Sequence, residues 1–504
     1  MFRNPKFTLD GKYLENPAHC PYPKERKLLE DLDGSEDPKF DLAAFWRSAG
    51  TWLLVSVLGS LLVGIAFLQL FKRHSGAMTR ATIYTQVAVP LAVGLSLLFA
   101  GQAVPGMVMF GMAGLAAFVF WLWRAEIGLA SRLLGVSAHG LVANPHLITL
   151  TVVLNVLGLL STLPLLVFSG FAYTNGAFVP NPDRAGASQC VDTQGQAVPC
   201  CAWQPEPWAL GFISGASLLM LWTLLLYNQI RVFVISGTIA QWYFAAPGSS
   251  DATTKGSTTR SLGHALGPSF GSLCLSSLVL TITETLRQAT ENAQQDNPEA
   301  GLLQVCFYVC AQMLYSLIEY LTKFATVMTA ISGDSFLTAG RRVTDLLVRN
   351  FLNTFATTVW FTPLVIQLAC LSLGVAWGLL SGGAYYLLRP AGLEVNHKVN
   401  SAVLGTLSGV AAMTVLFFLG GVLLSVLDAC FVCWAIDRDS QTVSQPQVYE
   451  VFMTVPLKTP QGAVVQQPGG DLAYGAEQEP LNAAPLHRPG QAYQPPVIHQ
   501  GPLV

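Results

Sequence analysis

Long apolar runs constrain this chain more than any other feature. A bilayer core about 30 Å thick requires about 20 apolar residues in a helix. Nine runs meet that length, and several exceed the needs of one straight crossing, which predicts tilt, breaks or cytosolic extensions. The predicted spans are 51–71, 82–101, 104–123, 147–172, 208–235, 261–285, 302–331, 356–388 and 400–434.

The composition agrees with a membrane environment. Only 11% of the 504 residues are charged, whereas soluble proteins carry about a quarter. The predicted fold class is therefore an all-α polytopic membrane protein with about nine transmembrane helices and no large soluble domain, in contact with membrane lipids. A net charge of −2 argues against nucleic acid as a partner, because phosphates require a basic face.

The basic residues in short loops predict which side each loop occupies. Ten lie in one set of alternate loops: Lys72, Arg73, Arg80, Arg124, Arg132, Lys255, Arg260, Arg341, Arg342 and Arg349. The other set holds four: Arg184, Arg287, Arg389 and Lys398. The first set is predicted to be cytosolic, and with it the C-terminus.

The loop 173–207 is predicted to face the outside. It carries Cys190, Cys200 and Cys201 in a stretch rich in proline and glycine. An oxidising exterior favours disulfides, so a bond between Cys190 and either Cys200 or Cys201 is predicted, with one cysteine left over.

The two ends of the chain differ from the span-bearing core, 51–434. Segment 1–50 is polar and holds eight Lys and Arg residues. Nine spans with a cytosolic C-terminus would place this segment outside, where so many basic residues are unfavourable. Three explanations stay open: the chain inserts that way, a preceding span is missing, or one long segment crosses twice.

Segment 435–504 contains ten prolines and little apolar content, and predicts a disordered cytosolic tail.

Glycines four residues apart recur in several predicted spans. They occur at Gly211–Gly215, Gly263–Gly267–Gly271, Gly374–Gly378–Gly382 and Gly405–Gly409. Small residues at this spacing line one helix face and allow two backbones to approach closely. Compact helix packing is the favoured interpretation, and surfaces that slide in a conformational change are the alternative.

Ionisable residues inside apolar runs indicate functional sites, because burying a charge in lipid costs several kcal/mol. Two carboxylates stand out here, Glu319 and Asp428. Glu319 shares a helix face with Tyr315, four residues earlier. It could instead form an internal ion pair with Lys323, four residues later.

Two further motifs contain residue types that can bind a metal or a cation. The pair Cys430 and Cys433 stands without a second pair nearby, so no metal site is predicted. Trp242 and Tyr243 end the fifth span, where aromatic side chains commonly mark the membrane interface. The alternative is a cation–π wall for a quaternary ammonium ligand.

No nucleotide-binding, zinc-protease or nucleophile-elbow motif occurs, so no enzymatic activity and no cofactor are predicted.

The second half of the chain resembles the choline transporter-like proteins. Residues 236–244 are similar to that family's "AG-x-x-A-x-WYF" stretch, and His264 to Gly271 to its "HTGSLAFG" segment. Residues 323–341 resemble "RYAY-x-x-IAIYG-x-x-F-x-x-SAR", residues 347–350 resemble "LMRN", and residues 428–433 resemble "DTLFLCF". These matches are colinear across about 200 residues.

The resemblance also accounts for the number of spans. The nine spans correspond to the family's second to tenth, so its first span and the large outer loop after it are absent from this sequence. Segment 1–50 would then be a shortened outer segment or the product of an incomplete gene model. Thr322, Lys323 and Ser332 depart from the Asn, Arg and Tyr common in the family.

The resemblance implies a transporter of a small organic cation, choline or a related amine, in the plasma membrane. Facilitative or exchange transport is expected, because no ATP site is visible. A channel, a lipid-handling protein or a non-transporting scaffold are the alternatives. The sequence does not define the oligomeric state. The candidate binding residues are Trp242, Tyr243, Tyr315, Glu319 and Asp428.

Overall fold

The fold is taken from a computed structural model of the full chain. The structure describes residues 42–99, 101, 103–122, 124–180, 190–191, 197–198, 201–245, 257–296, 302–350, 352–388, 397–453, 457–458 and 464–465.

Helices make up nearly all of the described chain. Twelve are present in the described ranges: α1 Leu42–Phe99, α2 Ala103–Leu122, α3 Arg124–Ala143, α4 His146–Tyr173, α5 Pro207–Tyr243, α6 Thr258–Leu266, α7 Phe270–Asp296, α8 Leu302–Ser332, α9 Phe336–Asn350, α10 Leu352–Leu388, α11 His397–Asp439 and α12 Pro446–Met453. Six short strands accompany them: β1 Gly176–Pro180, β2 Cys190–Val191, β3 Ala197–Val198, β4 Cys201–Pro205, β5 Leu457–Lys458 and β6 Val464–Val465. The strands form three two-stranded antiparallel pairs, β1–β4, β2–β3 and β5–β6. The all-α polytopic membrane fold is confirmed.

The predicted number of nine spans is not confirmed. Six helical segments within the described residues are long and apolar enough to cross a bilayer, and α6 with α7 forms a seventh if that bent pair is one span. The predicted spans 82–101 and 302–331 fall on α1 and α8 but outside this set.

Helix α1 replaces the short loop that the sequence predicted between its first two spans. The backbone leaves helical geometry inside α1 at His74, with φ −139° and ψ 45°. The basic residues Lys72, Arg73 and Arg80 therefore lie on either side of a kink within helical chain.

The break between α6 and α7 falls within the predicted span 261–285. The two helix axes differ by 76°. Gly267 and Pro268 occupy the break, and proline removes a backbone donor that helix continuation needs. This segment is a bent pair of helices and not one straight span.

The described chain divides into two units, of which the smaller holds Leu42 and the described residues of Val156–Leu224. In it, β1 and β4 pair in register from Gly176 opposite Pro205 to Pro180 opposite Cys201. The indole nitrogen of Trp203 donates to the carbonyl of Tyr173 at 3.0 Å. Cys200 lies outside the described residues, as do the side chains of Cys190 and Cys201, so the disulfide stays a prediction.

The larger unit comprises Ala43–Asn155 and Leu225–Val504, and α10 and α11 pack closely within it. A Cβ atom at Gly378 would lie 2.7 Å from the carbonyl oxygen of Gly405 and 3.0 Å from the Cα of Gly409. A Cβ atom at Gly382 would lie 3.0 Å from the Cα of Gly405. The glycine spacing thus brings these two backbones into direct contact, as predicted. By contrast, no described atom comes within 4 Å of a Cβ built at Gly211, Gly215, Gly263 or Gly271.

The described chain stays packed beyond the predicted core boundary at 434. Helix α11 continues to Asp439, and α12 follows at Pro446–Met453. Val448 and Phe452 of α12 are buried in the main hydrophobic cluster. The predicted tail 435–504 therefore begins too early, because its first part contributes apolar side chains to the core. Residues 454–456, 459–463 and 466–504 lie outside the described residues.

Candidate functional site

Polar side chains of α7 and α8 form the first part of the site. On α8, Gln312, Ser316, Glu319 and Lys323 are spaced by four, three and four residues, which places them on one face of a helix. Glu284, Arg287 and Glu291 have the same kind of spacing on α7. The two helices are therefore amphipathic and direct their polar faces toward each other.

Hydrogen bonds connect these two faces along their length. The Gln312 amide donates to Oε1 of Glu291 at 3.2 Å. The hydroxyl groups of Tyr315 and Thr290 lie 3.0 Å apart. These contacts hold α7 and α8 together as a helical hairpin.

Arg287 connects two carboxylates within the hairpin. Its Nη1 lies 3.3 Å from Oε2 of Glu284, and its Nη2 lies 3.0 Å from Oε2 of Glu319. A guanidinium group presents several donors in a planar arrangement and suits such a double contact. Glu319 is therefore paired with α7, and not with Lys323 on its own helix.

Lys323 forms an ion pair with a carboxylate from a different helix. Its Nζ contacts Oδ2 of Asp428 on α11. The Lys323 side chain is 29% exposed and that of Asp428 is 17% exposed. The alternative of an internal Glu319–Lys323 pair is wrong for this structure, because each residue has a partner on another helix.

A cavity of about 450 Å³ lies where α7, α8, α10 and α11 meet. Three carboxylates and two cations line it: Glu291, Glu319, Asp428, Arg287 and Lys323. The formal charge of this lining is therefore −1. Its other lining residues are Gln312, Ser316, Tyr320, Pro363, Leu424 and Leu427.

Glu319 and Asp428 are the predicted site residues that the structure brings together. Both line the cavity. Tyr315 belongs to the same hairpin, but its hydroxyl group is engaged with Thr290 and Tyr320 supplies the aromatic wall instead. The cavity lining is therefore acidic and includes one tyrosine, Tyr320.

Trp242 and Tyr243 lie in a different part of the larger unit. Trp242 is 7% exposed and Tyr243 is fully buried. The Trp242 ring packs against Gly140, where a Cβ atom would lie 3.3 Å from it, and 6.2 Å from the ring of His139 on α3. The predicted aromatic wall does not line this cavity, because both side chains are packed into the core at the end of α5.

Asp437 accounts for the position of Tyr243. Its carboxylate accepts hydrogen bonds from the Tyr243 hydroxyl at 3.1 Å, from Thr442 Oγ1 at 3.0 Å, and from the backbone nitrogen and hydroxyl of Ser444 at 2.8 Å each. Asp437 is only 1% exposed. Nine residues separate it from Asp428 on the continuous helix α11, a distance of about 13 Å along the axis.

Comparison with known proteins identifies the family. The family described as plasma-membrane choline transporter matches residues 107–439, about two thirds of the chain. The chain belongs to the plasma-membrane choline transporter family. The matched residues include the whole lining of the cavity and Asp437.

Individual related proteins share between 22% and 32% of the aligned residues with this chain. A CTL-like protein of Dictyostelium discoideum is 22% identical over 424 residues, covering 79% of this chain and 74% of its own length. The protein named PNS1 of Yarrowia lipolytica is 24% identical over 376 residues, covering 70% and 60%. Choline transporter-like protein 2 of Rattus norvegicus is 32% identical over 123 residues, covering 23% of this chain. That aligned region covers 17% of the length of the rat protein.

Arg287, Glu291, Gln312, Ser316 and Tyr320 were not predicted as site residues. The sequence predicts an outer loop for Arg287, whereas α7 extends to Asp296 and brings Arg287 to the cavity. The polar spacing on α7 and α8 could have revealed these residues, because a polar stripe on an otherwise apolar membrane helix needs polar partners.

The described residues hold no group of three or more His, Cys, Asp or Glu side chains arranged to bind a metal ion. Cys430 and Cys433 are fully buried in the hydrophobic cluster. Their packing is that of small apolar side chains.

Proposed function

We propose that this chain is a plasma-membrane transporter that binds a small organic cation, choline or a related amine, in the cavity between α7, α8, α10 and α11. The observation that carries the proposal is the lining of the cavity, with three carboxylates against two cations and a tyrosine face. Family membership supports transport as the activity.

The chemistry of choline matches these groups. A quaternary ammonium ion has no N–H donors, so it is bound through charge attraction and through aromatic faces. Asp428 and Glu319 supply the negative charge, and Tyr320 supplies the aromatic surface. A volume of about 450 Å³ lies within the range of about 300–1,000 Å³ that is common for small-molecule sites.

The helix packing supports access from alternating sides. The glycine contacts between α10 and α11 make that pair close-packed, and hydrogen bonds join α7 to α8. The cavity lies between these two pairs, so a small rotation of one against the other would change its opening. This arrangement supports facilitative or exchange transport, and the distribution of basic residues supports a cytosolic C-terminus.

The test is uptake of radiolabelled choline by the purified protein in liposomes. We expect saturable uptake that the variant Asp428→Asn abolishes. Glu450→Gln is the matched control, because it makes the same chemical change at an exposed position of α12 outside the cavity lining. Size-exclusion and thermal unfolding profiles establish that each protein is folded.

Four results would count against the proposal, the first three against choline transport and the last against the assigned site. Folded wild-type protein without saturable uptake would exclude choline transport. Flux that does not saturate would favour a channel, and movement of labelled lipid without choline uptake would favour a lipid-handling protein. Unchanged uptake by Asp428→Asn would leave transport standing and remove this carboxylate from the site.

A further inference from the structure

Lys323 shares the cavity lining with two carboxylates of the neighbouring turn and the neighbouring helix, Glu319 and Asp428. Its Nζ is paired with Asp428 of α11. Glu319 lies four residues earlier on the same helix and lines the same cavity. A Glu placed four residues before a Lys is the favourable order for an ion pair within a helix.

Glu319 has room for a second cation. Its side chain is 57% exposed although Arg287 contacts it, and a carboxylate accepts several hydrogen bonds. Arg287 is less able to move, because its guanidinium group is held by Glu284 and Glu319 at once. A lysine ammonium is a point charge on a flexible stem, so Lys323 is the cation in the lining that can change partner.

Resting on the proposed function, we propose that Lys323 is a tethered cation that competes with the substrate for Asp428. In the empty cavity the Lys323 ammonium neutralises Asp428. A cationic substrate takes its place, and the ammonium moves to Glu319. The ion pair between α8 and α11 then opens only when another positive charge replaces it.

This exchange makes Lys323 a specificity-determining residue. A neutral molecule of the same shape offers no charge to Asp428, so displacing Lys323 would leave a partly buried carboxylate unpaired, which is costly. A cation meets no such cost. The site would therefore discriminate by charge more strongly than by shape.

Equilibrium binding of tritiated choline to the purified full chain tests this exchange. Lys323→Met removes the competing cation. We expect it to lower the dissociation constant for choline about 5-fold or more, which is the lower end of the range typical of coupling between two binding events. Lys323→Arg is expected to raise it, because a guanidinium group binds a carboxylate through two parallel contacts. Lys72→Met is the matched control, since Lys72 is an exposed lysine on α1.

A second pair of measurements separates competition from a purely structural ion pair. The double variant Lys323→Asp with Asp428→Lys preserves an ion pair, so it should stay folded and yet bind no choline. The carbon analogue of choline, in which carbon replaces the ammonium nitrogen, should compete poorly with choline in the wild type. It should compete measurably better in Lys323→Met.

The outcomes distinguish this inference from the proposed function. If the wild type binds no choline, the proposed function fails. Two results would overturn the competition and leave the proposed function standing, provided that the wild type binds choline. One is a Lys323→Met variant that binds choline no more tightly than the wild type. The other is a Lys323→Arg variant that binds choline no more weakly than the wild type. Should Lys323→Met not fold, the result with Lys323→Arg decides. Choline binding by the charge-swapped double variant would also overturn it.

Discussion

The Tyr243 hydroxyl donates a hydrogen bond to Oδ2 of Asp437 at 3.1 Å and so joins the end of α5 to the end of α11. Both side chains are buried. The same carboxylate binds Thr442 and Ser444 in the turn before α12. One buried carboxylate therefore holds three segments together at a distance from the cavity.

Tyr243→Phe is expected to lower stability without changing choline affinity. The substitution removes a hydrogen bond to a charged group, which contributes about 1.5–3 kcal/mol, while three other donors still contact Asp437. Thermal unfolding of the purified protein measures the effect, and Tyr84→Phe, at a tyrosine that is 70% exposed, is the control. A raised dissociation constant for choline at unchanged stability would instead place Tyr243 in the binding site.

Gly378→Ala is expected to destabilise the α10–α11 pair. Its new methyl group would meet the Gly405 carbonyl oxygen at 2.7 Å, and overpacking of this kind costs about 1–3 kcal/mol. Gly383→Ala makes the same change on α10 where no described atom lies within 4 Å of the added Cβ. Thermal unfolding should separate the two variants, and equal melting temperatures would refute the role assigned to the close contact.

Tyr320→Leu is expected to weaken choline binding, whereas Tyr315→Leu, which also removes a ring, should leave it unchanged. A cation–π contact contributes about 0.5–2 kcal/mol, so the dissociation constant for Tyr320→Leu should rise by about 2- to 30-fold. Tyr320→Phe keeps the ring and should behave like the wild type. Weaker binding in Tyr315→Leu with no change in Tyr320→Leu would move the aromatic wall to Tyr315.

Phe452→Ala is expected to destabilise the fold although it lies beyond the last span. The Phe452 ring is 1% exposed and stacks on Trp434 with ring centroids 5.1 Å apart. Truncating a buried phenylalanine costs about 3–5 kcal/mol. Val443→Ala, at a side chain that is 54% exposed, should unfold at nearly the wild-type temperature. If Phe452→Ala did so as well, α12 would not be part of the folded core.

The helices and the two central carboxylates could be predicted because their signals are local. A run of apolar residues shows its length directly, and a carboxylate within such a run is conspicuous whatever it contacts. Glu319 and Asp428 were found in this way. Their partners were not, since spacing along one helix reports only neighbours on that helix, and the partner of Lys323 is on α11.

The position of the aromatic residues needed the tertiary structure. An aromatic pair at the end of a span can lie at the interface, in a binding site or in the core, and sequence does not separate these environments. Burial of Tyr243 depends on Asp437, which is distant in sequence. Helix α12 was missed for a different reason: the composition of 435–504 averages a short apolar helix with a polar, proline-rich remainder.

The formal charge of −1 on the cavity lining has an electrical consequence for the carrier that we propose. One bound monovalent cation brings the cavity to neutrality, so reorientation of the loaded carrier moves little net charge across the bilayer. The empty cavity carries its negative charge back. A membrane potential acts on moving charge with about 2.3 kcal/mol per elementary charge per 100 mV. Voltage would therefore drive uptake by accelerating the return of the empty carrier to the outside-facing state, because an interior-negative potential moves negative charge outward.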